Sequence, residues 1–183
     1  MGGIYKKVNL KPDIVVYGKA LGNGYPISAV VGKKKIMEKS NHTFISSTAW
    51  TERIGFVAAL ETIKFMKKYK VPYLIKKRGK MIVEGWKSIA KKQKIKITTN
   101  KFYPMPTFNF NYSGKNEMLH TLFTKYMLEK GYLSTNYMFV TYAHNKTAID
   151  KYLRNCEKVF IKINKDIKNL KSFGKTIERK FTY

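Results

Sequence analysis

A short β-branched run that breaks into glycines restricts the fold of this chain more than any other feature. Asp13-Ile14-Val15-Val16-Tyr17 follows a proline and reads as a buried strand. It stops at Gly18-Lys19, and Gly22-Asn23-Gly24-Tyr25-Pro26 then supplies the residues of a tight loop before a second strand over 27–32. Lys19 sits where a parallel strand would deliver a side chain to the working edge of a sheet, with glycines close by that let backbone or ligand approach. A lysine in a partly closed site loses its proton more readily and can attack a carbonyl as a neutral amine. The alternative is a surface lysine in a glycine-rich turn, because the spacing is neither the GxGxxG nucleotide pattern nor the GxxxxGK[ST] phosphate loop.

The following segments supply helices for such a sheet. Over 52–68, Ile54, Val57, Leu60, Ile63 and Met66 form an apolar stripe, with Arg53, Glu61, Lys64, Lys67 and Lys68 able to face water. A helix of this kind must cover something. A second helix is expected over 72–91, opening with Pro72, which is tolerated in a first turn, and carrying Ile82, Trp86 and Ile89. Strand character appears at 95–98 and again where Phe108, Phe110 and Tyr112 alternate with Asn109 and Asn111. Leu119, Leu122, Phe123, Tyr126 and Met127 define a helix over 116–130 that Gly131 can end, and 137–142 reads as a further strand. Thr147 and Asp150 have capping-box-like spacing ahead of an apolar face of Leu153, Cys156, Phe160 and Ile163. In the tail, Leu170, Phe173, Ile177 and Phe181 could pack back on this domain.

The expected organisation is part of a large α/β domain over 1–71, a linking helix over 72–90, and a small α+β domain with a tail over 91–183. The first part is poor as an independent sheet: it leaves an edge strand and an uncovered face for water or another chain.

Composition excludes several classes. No apolar run approaches the roughly 20 residues of a membrane-spanning helix, so a soluble, cytoplasmic protein without a membrane partner is expected. One cysteine, Cys156, excludes an intrachain disulfide framework and multi-cysteine metal clusters. His42 and His120 lack metal-ligand spacing with each other or with Cys156, so no metal site is proposed. The net charge of +26 invites polyanions, yet it is spread as lysine through every segment, and the arginines are confined to Arg53, Arg78, Arg154 and Arg179. Base readout and bidentate phosphate clamps lean on arginine, which makes this a solvated lysine surface and nucleic acid an unexpected partner. A basic RNA-binding protein remains the weakest of three readings.

The string from Pro12 to Gly32 resembles, almost throughout, the cofactor-lysine signature of pyridoxal phosphate (PLP) dependent class III aminotransferases, in the branch of glutamate-1-semialdehyde 2,1-aminomutase and amino-sugar enzymes. The resemblance implies a partial PLP-dependent transferase type I large domain followed by the small α+β domain, with Lys19 holding pyridoxal 5'-phosphate and relaying protons. Phe44-Ile45-Ser46-Ser47-Thr48, read with Ala58-Ala59-Leu60, resembles the segment whose threonine hydroxyl and adjacent backbone reach the cofactor phosphate, usually across the dimer interface, which implies that role for Thr48 with Ser47 beside it. The plain alternative is that Ser47 or Thr48 caps the following helix. Trp50-Thr51-Glu52-Arg53 stands where many members have Gly-Asn-Pro, a departure that favours the aminomutase or sugar branch. Residues 123–133 and Tyr142-Ala143-His144-Asn145 are similar to the family's small domain, with His144 read as structural or capping.

The resemblance places a carboxylate for the pyridine nitrogen, a ring-stacking aromatic and a phosphate loop upstream of Gly2. The expectation is therefore a C-terminal fragment or one half of a split enzyme that moves an amino group on an amino-acid-like or sugar carbonyl substrate. Its partner would be a complementary N-terminal half, or a second copy in a full-length homodimer. The alternative is a noncatalytic interaction module.

Overall fold

The computed structural model describes residues 2–49 and 52–169. They divide after Val71 into two compact units, each with its own packing.

In unit 1, β1 (Ile14–Tyr17) pairs antiparallel with β2 (Ala29–Gly32) in the register Ile14↔Gly32 through Tyr17↔Ala29. The strand ahead of Lys19 thus has an antiparallel neighbour, not the parallel one its pattern suggested, because the chain reverses through successive turns between residues 18 and 28. A one-turn helix, α1 (Lys34–Met37), runs into a 3-10 turn, Glu38–His42, and α2 (Arg53–Lys68) closes the unit. Glu52 caps α2, its carboxylate accepting from Ile54 N–H at 3.2 Å.

The face that α2 buries is not the one its apolar stripe indicated. Gly55 and Ala59 are its buried residues, whereas Ile54, Val57 and Leu60 are 52%, 59% and 58% exposed. A Cβ on Gly55 would stand 3.2 Å from Ile27 Cβ, so the missing side chain is what seats the 26–27 loop against the helix. Among the described residues, nothing within unit 1 covers Ile54, Val57 and Leu60.

Unit 2 holds a continuous core. Its elements are α3 (Val71–Lys92, beginning at the end of unit 1), β3 (Ile97–Thr99), β4 (Phe108–Phe110), α4 (Asn116–Leu128) and α5 (Lys146–Lys168). Strands β3 and β4 pair antiparallel, Ile97↔Phe110 through Thr99↔Phe108, and the inward side chains of β4 meet the helices. Phe108 is central: Trp86, Phe123 and Phe160 lie 4.9, 5.0 and 5.9 Å from it, ring centre to ring centre. Edge-to-face pairs of this kind add about 0.5–1.5 kcal/mol each beyond the area they bury. Trp86 Nε1–H donates to the buried Tyr152 hydroxyl at 3.3 Å, so the polar atom of the indole has a partner.

Two expectations are corrected here. Residues 137–142 form no strand; an isolated bridge, Thr107↔Tyr137, and donations from Met138 N–H to Pro106 O and from Val140 N–H to Pro104 O align the segment. Pro104 and Pro106 have no N–H to return, which leaves a one-sided ladder. The cap of α5 is Asn145, which accepts from Ala148 N–H at 2.9 Å, while Lys146 and Asp150 form an ion pair at 2.5 Å. A short amide side chain in extended backbone captures the first-turn donor two residues before Thr147. Gly131, with φ 78°, ends α4 as expected, and Tyr132 N–H donates back to Met127 O. The tail residues Leu170, Phe173, Ile177 and Phe181 lie outside the described residues.

Two stability predictions follow from this packing. A Cβ at Gly79 would fall on the Tyr103 carbonyl, whereas one at Gly85 would meet only the end of the Leu153 side chain, which can rotate. Alanine gains helix propensity of about 1 kcal/mol at either site, yet Gly79→Ala is expected to be net destabilising by about 1–3 kcal/mol and Gly85→Ala to be milder, as urea unfolding would measure. His120 packs on Phe108 and Phe110 with its buried Nδ1 unpartnered, and burial lowers its pKa. Folding therefore favours the neutral ring: the contribution is complete above the ordinary imidazole value of about 6.5 and is lost as pH falls through it toward the lowered folded value. His120→Leu should flatten this acid dependence and, by removing the orphaned atom, add about 1 kcal/mol near pH 5, read from thermal unfolding across pH.

Candidate active site

The end of β1 is where the backbone of unit 1 becomes unusual. Gly18 is extended, with φ −152°, and Lys19 takes φ 49°, a left-handed conformation that costs a residue with a Cβ about 1–2 kcal/mol. Strain of that kind persists only where surrounding contacts impose it. Here the 3-10 turn Lys19–Leu21 closes with Leu21 N–H on Gly18 O, and Asn23 N–H then returns to Lys19 O at 3.2 Å. Asn23 and Gly24 also have positive φ, 49° and 116°, and Tyr25 N–H closes the next turn on Gly22 O. A side chain on Gly22 would collide with Tyr25 O and with Ile27 Cγ2, so the doubled turn requires glycine there. The result delivers Pro26 and Ile27 onto Gly55 of α2 and leaves the Lys19 side chain exposed beside the gap.

That gap is a cavity of about 960 Å³ within unit 1. Lys19 lines it together with Ser47 and Thr48, so the structure brings together all three residues singled out in the sequence. Neither Ser47 nor Thr48 caps α2, since Glu52 does; both side chains are exposed, and neither hydroxyl has a partner among the described residues. The capping alternative for these two residues is thereby removed. Ser28, Ser40, Ser46 and Glu52 also line the cavity and were not foreseen. Glu52 had a legible signal, an acid immediately before an apolar helical period, but the three serines had none, because only the return of the chain at β2 and α1 places them. Among the described lining residues Lys19 is the sole cation and Glu52 the sole acid. The remainder is hydroxyl and apolar surface beside the N-terminus of a 16-residue helix, where the Glu52 carboxylate already holds the Ile54 N–H and the remaining first-turn N–H groups favour an anion.

Lys19 at a strand end thus shares a cavity with the Ser47 and Thr48 hydroxyls near a helix start, whereas the sequence resemblance has the threonine reach the phosphate usually across a dimer interface. A family model for aminotransferase class-III matches residues 4–160. The chain belongs to the class-III aminotransferases. Among curated class-III relatives, it is 29% identical to the glutamate-1-semialdehyde 2,1-aminomutase of Thermodesulfovibrio yellowstonii, a match covering 88% of this chain and 42% of that protein. It is 24% identical to the 2'-deamino-2'-hydroxyneamine transaminase of Streptomyces kanamyceticus, over 82% of this chain and 39% of that one. Among solved structures, the FumI protein of Sphingopyxis sp. MTA144, in a form carrying PLP, superposes with TM-score 0.81 at 20% identity, covering 90% of this chain and 40% of that chain. An omega-transaminase from Sphaerobacter thermophilus gives TM-score 0.77 at 12% identity, over 90% of this chain and 41% of its own. These likenesses show the fold: a portion of a large α/β domain followed by a smaller α+β region. The chain spans about two-fifths of the length of the class-III proteins it matches.

Proposed function

We propose that this chain supplies the lysine-bearing part of a PLP-dependent enzyme that transfers an amino group on a small amino-acid-like or sugar carbonyl substrate. The observation that carries the reading is the convergence of Lys19, Ser47 and Thr48 on one cavity, with Lys19 held at φ 49° by the turns around it. The residues present suit the cofactor. The cavity lies within the size range of small-molecule sites, its amine is a competent nucleophile for an aldehyde, and two unpartnered hydroxyls beside a helix N-terminus can receive a phosphate without adding a competing cation.

Bound PLP supplies an electron sink that stabilises negative charge on the substrate carbon. The chain's own residues do the rest of the work. Lys19 Nζ would anchor the group covalently and, when freed, hold and move the proton that amino-group transfer requires. Ser47 Oγ and Thr48 Oγ1 would donate to phosphate oxygens and fix the ring's orientation relative to Lys19. Completion of the site by an N-terminal half, in the same polypeptide or a separate one, or by a second copy in a dimer, belongs to this reading. The similarity to an aminomutase and to a 2'-deamino-2'-hydroxyneamine transaminase supports both transfer within one molecule and transfer between two.

A second reading, a noncatalytic interaction module, is favoured by one feature, the exposed Ile54, Val57 and Leu60 stripe of α2. Borohydride reduction of the full chain with PLP, followed by peptide mapping, separates the two. The active-site reading expects a reduced adduct concentrated on Lys19 and absent from Lys19→Ala. Thr48→Val, by removing one phosphate hydrogen bond of about 1–1.5 kcal/mol, should raise the PLP concentration for half-maximal labelling about tenfold. Labelling spread evenly over the surface lysines, unchanged in Lys19→Ala, would leave the module reading in possession.

A further inference from the structure

Unit 2 contains a cavity of its own, of about 450 Å³, lined by no residue of the Lys19 site. Its floor is buried: Ile82 of α3, and Ile149 and Tyr152 of α5. Its mouth is the irregular segment 132–139, where Leu133 and Phe139 line the opening while remaining 95% and 66% exposed. Although the sequence holds 37 lysines and arginines, none of the described lining residues is a lysine, arginine, aspartate or glutamate. An ammonium or carboxylate entering would lose hydration and meet no opposite charge on the described lining itself.

The polar lining is uncharged: the hydroxyls of Tyr132, Ser134, Thr135, Tyr137 and Tyr152, and the His144 ring. Thr141 N–H donates to His144 Nδ1 at 3.0 Å. A neutral ring bonded in this way carries its proton on Nε2, which has no hydrogen-bond partner among the described residues. Burial, followed by the charge of Arg78, lowers the pKa of His144, so the ring is a neutral donor at physiological pH. The Tyr152 hydroxyl accepts from Trp86 Nε1–H at 3.3 Å and lies 3.4 Å from Ser134 Oγ; His144 Nε2–H is one open donor on the wall, beside the hydroxyls of Tyr132, which accepts from Asn155, and of Tyr137. Tyr132 stacks edge-on to Tyr152 and Tyr137 to Phe139, so the walls present aromatic surface. A few hundred Å³ with aromatic and aliphatic wall and a limited set of uncharged polar groups is the composition of a small-molecule site.

We propose that this cavity binds an uncharged, ring-sized molecule with one hydrogen-bonding oxygen, its apolar part against Ile82, Met138 and Ile149 and its oxygen accepting from His144 Nε2–H. The site lies wholly within unit 2 and stands or falls independently of the cofactor reading for Lys19.

Benzyl alcohol, benzoate and toluene serve as probes, titrated into the full chain while the methyl NMR signals of Ile82, Met138 and Ile149 are followed. Benzyl alcohol is expected to give saturable shifts at these methyls, with benzoate at least about tenfold weaker. Ala148→Leu, at an exposed position on the cavity wall, should weaken benzyl alcohol and toluene together by about tenfold or more. His144→Leu should weaken benzyl alcohol about tenfold and leave toluene unchanged. Shifts that never saturate, equal affinity for benzoate, or benzyl alcohol binding unmoved by Ala148→Leu would overturn the proposal. Should Ala148→Leu disturb the fold, judged by the same methyl spectrum without probe, Thr135→Leu fills the cavity from the other wall and carries the same two outcomes.

Discussion

The contact between Ile27 and the bare backbone of Gly55 is the hinge on which the amine site depends. Everything that gives Lys19 its setting is arranged to make that contact possible: the stop at Gly18, the left-handed Lys19, and the second turn that only glycine permits at position 22. Once Pro26 and Ile27 are seated on α2, β2 must run back antiparallel to β1, and the cavity is the space left between the turn and the segment leading into the helix. A local backbone cost of about 1–2 kcal/mol at Lys19 is held in place by this packing. The strain and the cavity are two aspects of one arrangement.

Unit 2 follows a different logic. Its core is specified by side-chain volume, with Phe108 surrounded by rings from all three long helices and an indole–phenol hydrogen bond satisfying the Trp86 N–H, while the buried His120 Nδ1 beside Phe108 stays unpartnered. That self-sufficiency explains how an uncharged pocket can exist inside a strongly basic chain. None of the unit's described lysines lines the pocket, and the 132–139 segment, aligned by Met138 N–H on the Pro106 carbonyl, contributes only neutral residues to the lining.

Much of this was legible in advance, for reasons that can be stated residue by residue. The long helices announced themselves through period, and the Phe108–Phe110 alternation marked β4 because each strand position faces one side only. Lys19, Ser47 and Thr48 were singled out through resemblance, but their gathering on one chain's cavity was not, since nothing in the spacing of residues 19 and 48 implies proximity and the resemblance has the threonine act usually across a dimer interface. What failed did so where two signals competed. The α2 stripe promised burial, but small residues on the other face won the contact with the loop, and periodicity cannot say which side of a helix its neighbours take. The 137–142 segment has strand composition, yet its partner carries prolines at alternate positions, a property of a different stretch of sequence. Thr147 had the right spacing for a cap, and Asn145 was closer to the first free N–H.

The uncovered α2 stripe also bears on how copies of the chain behave toward one another in solution. Ile54, Val57 and Leu60 form an adhesive patch on a body whose net charge is +26. Like-charge repulsion at that level holds identical molecules apart while leaving the patch open to a less basic surface. The repulsion acts over a Debye length, about 8 Å at physiological ionic strength and about 3 Å at 1 M salt. Salt therefore sets colloidal behaviour in this chain: dilute buffer keeps the patches of identical copies apart, and concentrated salt brings them within reach of each other.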